Sequence, residues 1–352
     1  MNEKRNITSF WVAAILVAIV AAVEGCAKPA GVLFPLPEKR IFWPAPPEMA
    51  RVRYVGQLAT SRDHKAPVSF GERLGKTLFV SKSAFSMLSP YALCTDGHDR
   101  LFVADSNAQC VHVFDMKTRK YTHWAPRNAN KRFDQPVGIA YDPAGRLFVS
   151  DSVAKLIYVF DKTGKEIAQI GAGYLTRPAG LAFDPQGQRL FAADVGAHNI
   201  LIFSAAGQPL ARLGHRGTRL GEFNFPTNVA IDAHGRLYVS DSLNFRVQQF
   251  SPDFRSTIQI GRKGDMPGYF SQPKGIAIDS DDHIYVVDAN FESVQIFDAN
   301  GELLLDFGSE GAGAGEFWLP AGVFIDSTNR IWVADTYNRR VQVFDYLPEG
   351  TP

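Results

Sequence analysis

Six copies of one motif predict an all-β fold, a six-bladed β-propeller of four-stranded antiparallel blades whose last blade is closed by a strand from the N-terminus. The first observation is the motif, an apolar run ending in aspartate at Asp105, Asp151, Asp194, Asp241, Asp288 and Asp335. The second is its spacing. Successive copies lie 46, 43, 47, 47 and 47 residues apart, a period at which one repeat makes one four-stranded blade. The third is a strand pattern left over at each end of the chain, which ring closure satisfies by removing two open sheet edges.

In chain order, residues 1–26 carry Lys4 and Arg5, then an unbroken apolar run of 14 residues from Phe10 to Val23, then small residues. This is the pattern of an export signal, and the run is shorter than the roughly 20 apolar residues of a bilayer span. Val23-Glu24-Gly25-Cys26 resembles the lipobox of bacterial lipoproteins. That resemblance implies a lipidated Cys26 as first mature residue; the alternative is an uncleaved membrane anchor, and both readings export the remainder. Ala27, not aspartate, follows the cysteine, which implies attachment to the outer membrane and a periplasmic body in a Gram-negative envelope. Residues 27–50 hold Pro29, Pro35, Pro37, Pro44, Pro46 and Pro47, a density that favours an extended, semi-rigid tether.

The propeller is expected over residues 51–346, followed by a tail at 347–352. Arg51–Gly56 (RVRYVG) has the pattern of a fourth strand and opens the closing segment 51–59. Residues 60–89 interrupt the repeat, with Phe70, Leu74 and Leu78 at helical spacing, so a short helix packed on the propeller is expected there. The repeats occupy 90–346. Each opens with proline and a short apolar strand, such as PVGIAYD from Pro136 or PKGIAID from Pro273, and then turns through a segment such as DPAGR or DAHGR. Aspartate and glycine suit such tight hairpins. The second strand, LFVAD in its first copy, is apolar throughout, as a strand covered on both faces should be. The third, for example VQVF ending at Phe344, is expected further from the axis and partly exposed. The fourth ends in glycine at Gly171, Gly214, Gly261 and Gly308, and Gly56 ends the N-terminal copy; KYTHWA from Lys120 diverges.

These stretches resemble the NHL repeat family of six-bladed propellers over roughly residues 51–346. The closest correspondence lies in GEFNFPTNVAID from Gly221 with VSDSLNFRVQQF from Val239, and in GEFWLPAGVFID from Gly315 with VADTYNRRVQVF from Val333. Blades one to three depart from it. Ala108, Ala154 and Ala197 stand where Asn244 and Asn338 stand, and Cys110, Leu156 and Asn199 replace Arg246 and Arg340.

Composition limits the function. The net charge of the 352 residues is +1, which gives no global field for nucleic acid. RNA binding, which the resemblance implies for some intracellular relatives, is opposed by this balance and by the export signal. The resemblance also implies zinc-dependent lyases of hydroxyglycine peptides among family members, with histidines converging at the channel. The eight histidines here scatter over turns, outer strands, a loop and the linker: His64, His98, His112, His123, His198, His215, His234 and His283. A catalytic zinc needs about three protein ligands converging within ~2.3 Å of one point, so no metal, cofactor or catalytic residue is assigned. A lyase or lactonase acting at the channel stays as the rival function. The carboxylates Asp96, Asp142, Asp184, Asp232, Asp279 and Asp326 end the first strands, where aspartate caps its own turn.

The strongest functional signal is on the loops joining each fourth strand to the next blade. Arg127, Lys131, Arg132, Arg177, Arg216, Arg219, Arg262 and Lys263 lie there, near Tyr174, Phe223 and Tyr269. Arg246 and Arg340 are added as candidates. Loops on a rigid scaffold are the usual seat of recognition, and arginine beside aromatics engages carboxylates, phosphates or a protein. The expectation is a non-enzymatic binding scaffold for a protein or glycan of the cell envelope, held to the membrane by its lipid. Cys94 and Cys110 are expected to stay reduced. Two strand spacings of about 4.8 Å separate them, beyond the Cα separation of roughly 7 Å that a disulfide tolerates.

Overall fold

The structure, a computed structural model, describes residues 33–34, 40–63, 84–127, 130, 132–255 and 257–348. The chain forms two compact units, Met1–Leu33 with Ala66–Ser81, and Phe34–Lys65 with Lys82–Pro352. Of the first, only Leu33 is described, so the export signal, Cys26 and the helix expected at 70–78 lie outside the described residues. The second unit is the propeller.

Two strands, β1 (Phe42–Trp43) and β2 (Val52–Leu58), precede the repeats. Blade one is β3 (Pro90–Thr95), β4 (Arg100–Asp105), β5 (Cys110–Asp115) and β6 (Lys120–Trp124). Blade two is β7 (Pro136–Tyr141), β8 (Leu147–Asp151), β9 (Leu156–Phe160) and β10 (Glu166–Ile170). Blade three is β11 (Pro178–Asp184), β12 (Arg189–Asp194), β13 (Asn199–Ser204) and β14 (Pro209–Leu213). Blade four is β15 (Pro226–Ile231), β16 (Leu237–Asp241), β17 (Arg246–Phe250) and β18 (Thr257–Ile260). Blade five is β19 (Pro273–Ile278), β20 (Ile284–Asp288), β21 (Ser293–Phe297) and β22 (Leu303–Phe307). Blade six takes β23 (Gly322–Ile325), β24 (Arg330–Asp335) and β25 (Arg340–Tyr346) from the C-terminus. First strands of adjacent blades touch all the way round, and β23 returns to β3.

Closure occurs as the strand count requires: β2 pairs antiparallel with β25, from Val52 opposite Tyr346 to Leu58 opposite Val341. One feature differs from the sequence expectation. The tether ends earlier than residue 50, because β1 adds a fifth strand to this blade, Phe42 opposite Arg53 and Trp43 opposite Val52. The Trp43 ring lies 5.8 Å from both Phe307 and Phe344, so the segment is held by aromatic packing despite its prolines. Gly56 does not end a strand either. It lies inside β2 beside a register shift, and a Cβ there would meet the Phe34 ring at 2.7 Å.

The third strands are buried almost throughout, not partly exposed; the fourth strands carry the exposed positions. The reason lies in the loops: Phe223, Phe270 and Phe317 fold back onto Phe250, Phe297 and Phe344 of the third strands. These loops start at Gly214, Gly261 and Gly308, which adopt positive φ of 77°, 69° and 95°, the region glycine enters without penalty. On the first strands the requirement is space. A Cβ on Gly138 would lie 2.0 Å from the Ala179 carbonyl oxygen of the next blade.

Both sets of repeated aspartates are structural. Asp105 accepts from the backbone N–H groups of Leu88, Ser89 and Ala108, and Asp151 from those of Asp134, Gln135, Val153 and Ala154. Buried carboxylates need such partners, and each of these ties its hairpin to the incoming loop. At the other end, Asp96 and Asp142 accept from Arg100 and Arg146 at 2.7 Å. The same arginines reach the carbonyls of Lys162 and Ala205 in the following blades. Cys94 and Cys110 are buried and free, on β3 and β5 with β4 between them.

Candidate recognition face

Antiparallel blades place the loops between fourth and first strands at the same end of the ring as the turns between second and third strands. Arg127, Arg132, Arg177, Arg216, Arg219, Arg262 and Lys263 are all exposed there, while Lys131 lies outside the described residues. The loops are braced from beneath. Gln248 accepts from Gly221 N–H and donates to the Glu222 carbonyl; Gln295 does the same with Gly268 and Tyr269, and Gln342 with Gly315 and Glu316. Glu222 accepts from the backbone of Arg219 and Thr218, and these bonds, Arg219 first, hold its carboxyl below the usual range.

Aromatic rings set two of the cations. The Arg262 guanidinium stacks 4.4 Å from the Tyr269 ring centre and bonds its hydroxyl, and the Lys263 ammonium lies 4.9 Å over Phe245. Such contacts orient a cation while leaving its outer side in water.

Arg246 and Arg340 do not belong with this group. Their side chains are 5% and 7% exposed, and their donors are used internally. Arg246 bonds Asp241, the Arg219 and Glu222 carbonyls and Gln259. Arg340 bonds Asp335, the Ala312, Gly313 and Glu316 carbonyls, and Gln57 of β2. They are struts under the loops. The signal that would have found them is register: each stands directly opposite its aspartate across the β-hairpin, Asp241 with Arg246 and Asp335 with Arg340.

Sequence reasoning also missed the apolar component of this face. Val153, Tyr174, Leu220, Leu243, Met266, Trp318 and Tyr337 are between 43% and 61% exposed, all on these loops and turns. At the opposite end, the described turns between first and second and between third and fourth strands expose no large apolar side chain, and Met49 in the β1–β2 turn is exposed there. Trp318 and Tyr337 pack together at 5.5 Å between ring centres. The charge is sectoral, since Glu292 and Glu310 lie towards blade six. Burial, and then Glu310, push the Glu292 carboxyl above its usual range.

Among the described residues, Asp279, Asp281 and His283 bring potential metal-ligand atoms within 4.8 Å of one another. His283 occupies the place of Arg100, Arg146 and Arg236, four residues after the turn aspartate, and its Nδ1 lies 2.9 Å from Asp279. That bond raises the His283 pKa, so the group is blade five's form of the aspartate–arginine latch. His112 likewise takes the place of Gln248 and bonds Asp105 at 3.1 Å.

The family described as "6-bladed beta-propeller" matches residues 278–347, and the NHL repeat matches residues 223–250. No curated protein matches the chain. Among solved structures, a streptogramin B lyase is similar over 74% of this chain and 94% of its own, at 10% identity and a TM-score of 0.57. Virginiamycin B lyase from Staphylococcus aureus is similar over 74% and 96%, at 14% identity and a TM-score of 0.55. An auxiliary nutrient binding protein from Bacteroides ovatus is similar over 74% and 70%, at 11% identity and a TM-score of 0.58. At such identities the likeness shows the fold and not the chemistry. Five four-stranded blades and a five-stranded sixth, with an NHL repeat matched within the fourth, make this chain a six-bladed β-propeller that carries an NHL repeat.

Proposed function

We propose that this propeller is a non-enzymatic binding module that captures a protein or glycan of the cell envelope through its loop face, with carboxylates on the partner meeting the arginines. The observation that carries this reading is the gathering of seven exposed large apolar side chains at one end of the ring, among exposed arginines and the ring-stacked Arg262 and Lys263. Apolar tips amid arginine are the composition of binding surfaces. The similar fold of a protein named for nutrient binding accords with it. At 10% and 14% identity the two similar lyases share the fold and lend no activity to this chain. Export and lipidation at Cys26, with outer-membrane attachment, belong to the same proposal and rest on the N-terminal pattern.

Reversing Arg216, Arg219 and Arg262 to glutamate together tests the reading. Crosslinked capture from envelope fractions is expected to be lost while the melting temperature stays within the range of surface changes, about 0.5 kcal/mol each. Undiminished capture by the triple variant would show that the face is only solvated. Mass spectrometry finding an unmodified Cys26 in the exported protein would remove the lipid anchor.

A further inference from the structure

Towards the end opposite the recognition face the central channel holds a cavity of about 450 Å³, with exposed Gly97, Pro143, Pro185 and Ser327 at its rim. Small-molecule sites are about 300–1,000 Å³. Its deeper tier is one aliphatic side chain per blade: Leu93, Ile139, Leu181, Val229, Ile276 and Val323, all nearly covered. The tier nearer the mouth is Tyr141, Phe183, Ile231, Ile278 and Ile325, with Thr95 in the sixth position. Most of these are only half-buried.

A ring of six blades creates a channel by geometry alone, but it does not require this lining. The outer tier contributes to the seams between blades, yet part of its apolar surface remains in the opening, where contact with water is unfavourable. The carboxylates of the turns at the mouth already have partners within the ring. Asp96 and Asp142 are bonded to arginines, Asp279 to His283, and Asp326 to the Trp332 indole at 2.9 Å. Polar recognition is still available, because the first strand of every blade is an edge strand towards the axis, and such edges present unpaired N–H and C=O groups. The Asn228 amide adds to them.

We infer that this funnel is a second binding site, which takes an uncharged ligand with an aromatic or aliphatic body and a few hydrogen-bonding groups. It is independent of the loop face and would stand if that reading failed.

The neutral fluorophore N-phenyl-1-naphthylamine, titrated into the full chain, tests it. A saturable one-site enhancement is expected, unchanged by the Arg216, Arg219 and Arg262 reversals. Thr95→Trp should fill the mouth; aromatics already sit at the equivalent Tyr141 and Phe183, so the ring accommodates one. Thr95→Trp and Ile278→Gln are each expected to weaken binding about tenfold or more, a readable shift in dissociation constant, at a temperature below the melting transition of either variant. Naphthalene should also raise the melting temperature of the unaltered chain, since a ligand of the folded state stabilises it, and this readout needs no variant. Absence of both the enhancement and the thermal shift would overturn the inference. So would an enhancement that both funnel variants leave intact, or one abolished by the loop-face reversals.

Discussion

Replacing Arg340 with Met removes the donor group that joins Asp335, three loop carbonyls and Gln57 of the closing strand. Asp335 is fully buried and would lose its cation. Breaking a buried pair from one side costs about 3–5 kcal/mol. The lower end applies, because Trp318 N–H, Asn338 and Gln342 still donate to the carboxylate. The loop carbonyls are close enough to the surface for water to replace the guanidinium. A loss of about 3 kcal/mol is therefore expected in urea unfolding, seen as a lower midpoint at unchanged slope. Arg340→Lys should recover only part of it, since an ammonium cannot span the fork of partners. Combining Arg340→Met with Asp335→Asn should cost less than the sum of the single changes by about 1 kcal/mol or more. Stability within about 0.5 kcal/mol of the parent, together with lost partner capture, would refute the strut assignment and return Arg340 to the recognition surface.

Deleting residues 40–58 should unfold the ring cooperatively or cause aggregation, because β25 becomes a long open edge; an unchanged melting profile would contradict closure by β2. Thiol labelling of denatured, unreduced protein should find Cys94 and Cys110 both free. In the native protein both should react slowly at neutral pH, because burial pushes the Cys94 thiol up strongly and the Cys110 thiol up to about 12. A bridge found by mass spectrometry would contradict the blade-one register. His283 has a raised pKa from its bond to Asp279, while Asp279, against its burial, is lowered by the same bond. The histidine's contribution to stability is present below its unfolded value near 6.5 and is lost as pH rises through the raised folded value; the aspartate's is lost as pH falls through its lowered one. Melting temperature should therefore decline above about pH 6.5 in the parent and less so in His283→Arg, and parallel pH curves for the two would sink the assignment.

The blades were legible because their signals are local. A prolyl strand start, an aspartate-glycine turn and an apolar second strand occur within about twenty residues of one another, and a missing fourth strand at one terminus with a spare at the other implies closure. Phe42–Trp43 was not legible. A two-residue strand between prolines has no periodicity, and its place depends on Phe307 and Phe344, remote in sequence. Residue type and the repeat place cations on the loops but do not give their direction, so sequence alone groups the inward Arg246 and Arg340 with exposed ones such as Arg216 and Arg262. The gatherings of Tyr174, Leu220, Met266 and Trp318 on one face and of Tyr141, Phe183 and Ile278 around the funnel were hidden for a related reason. Each residue comes from a different repeat, and alone reads as loop or seam core.

The pairing of Val52 with Tyr346 and of Leu58 with Val341 also governs the order of events during folding. Almost the whole chain separates the two strands, and contacts of such long sequence separation form late and slowly. During synthesis the N-terminal strand emerges first and waits, with its edge open, until the last blade has been delivered. A polypeptide interrupted before Arg340 would retain five complete blades and yet be unable to join its ends. The ring thereby acts as a check on its own completeness, since only a chain translated through Tyr346 can hide its first strand from proteases and chaperones.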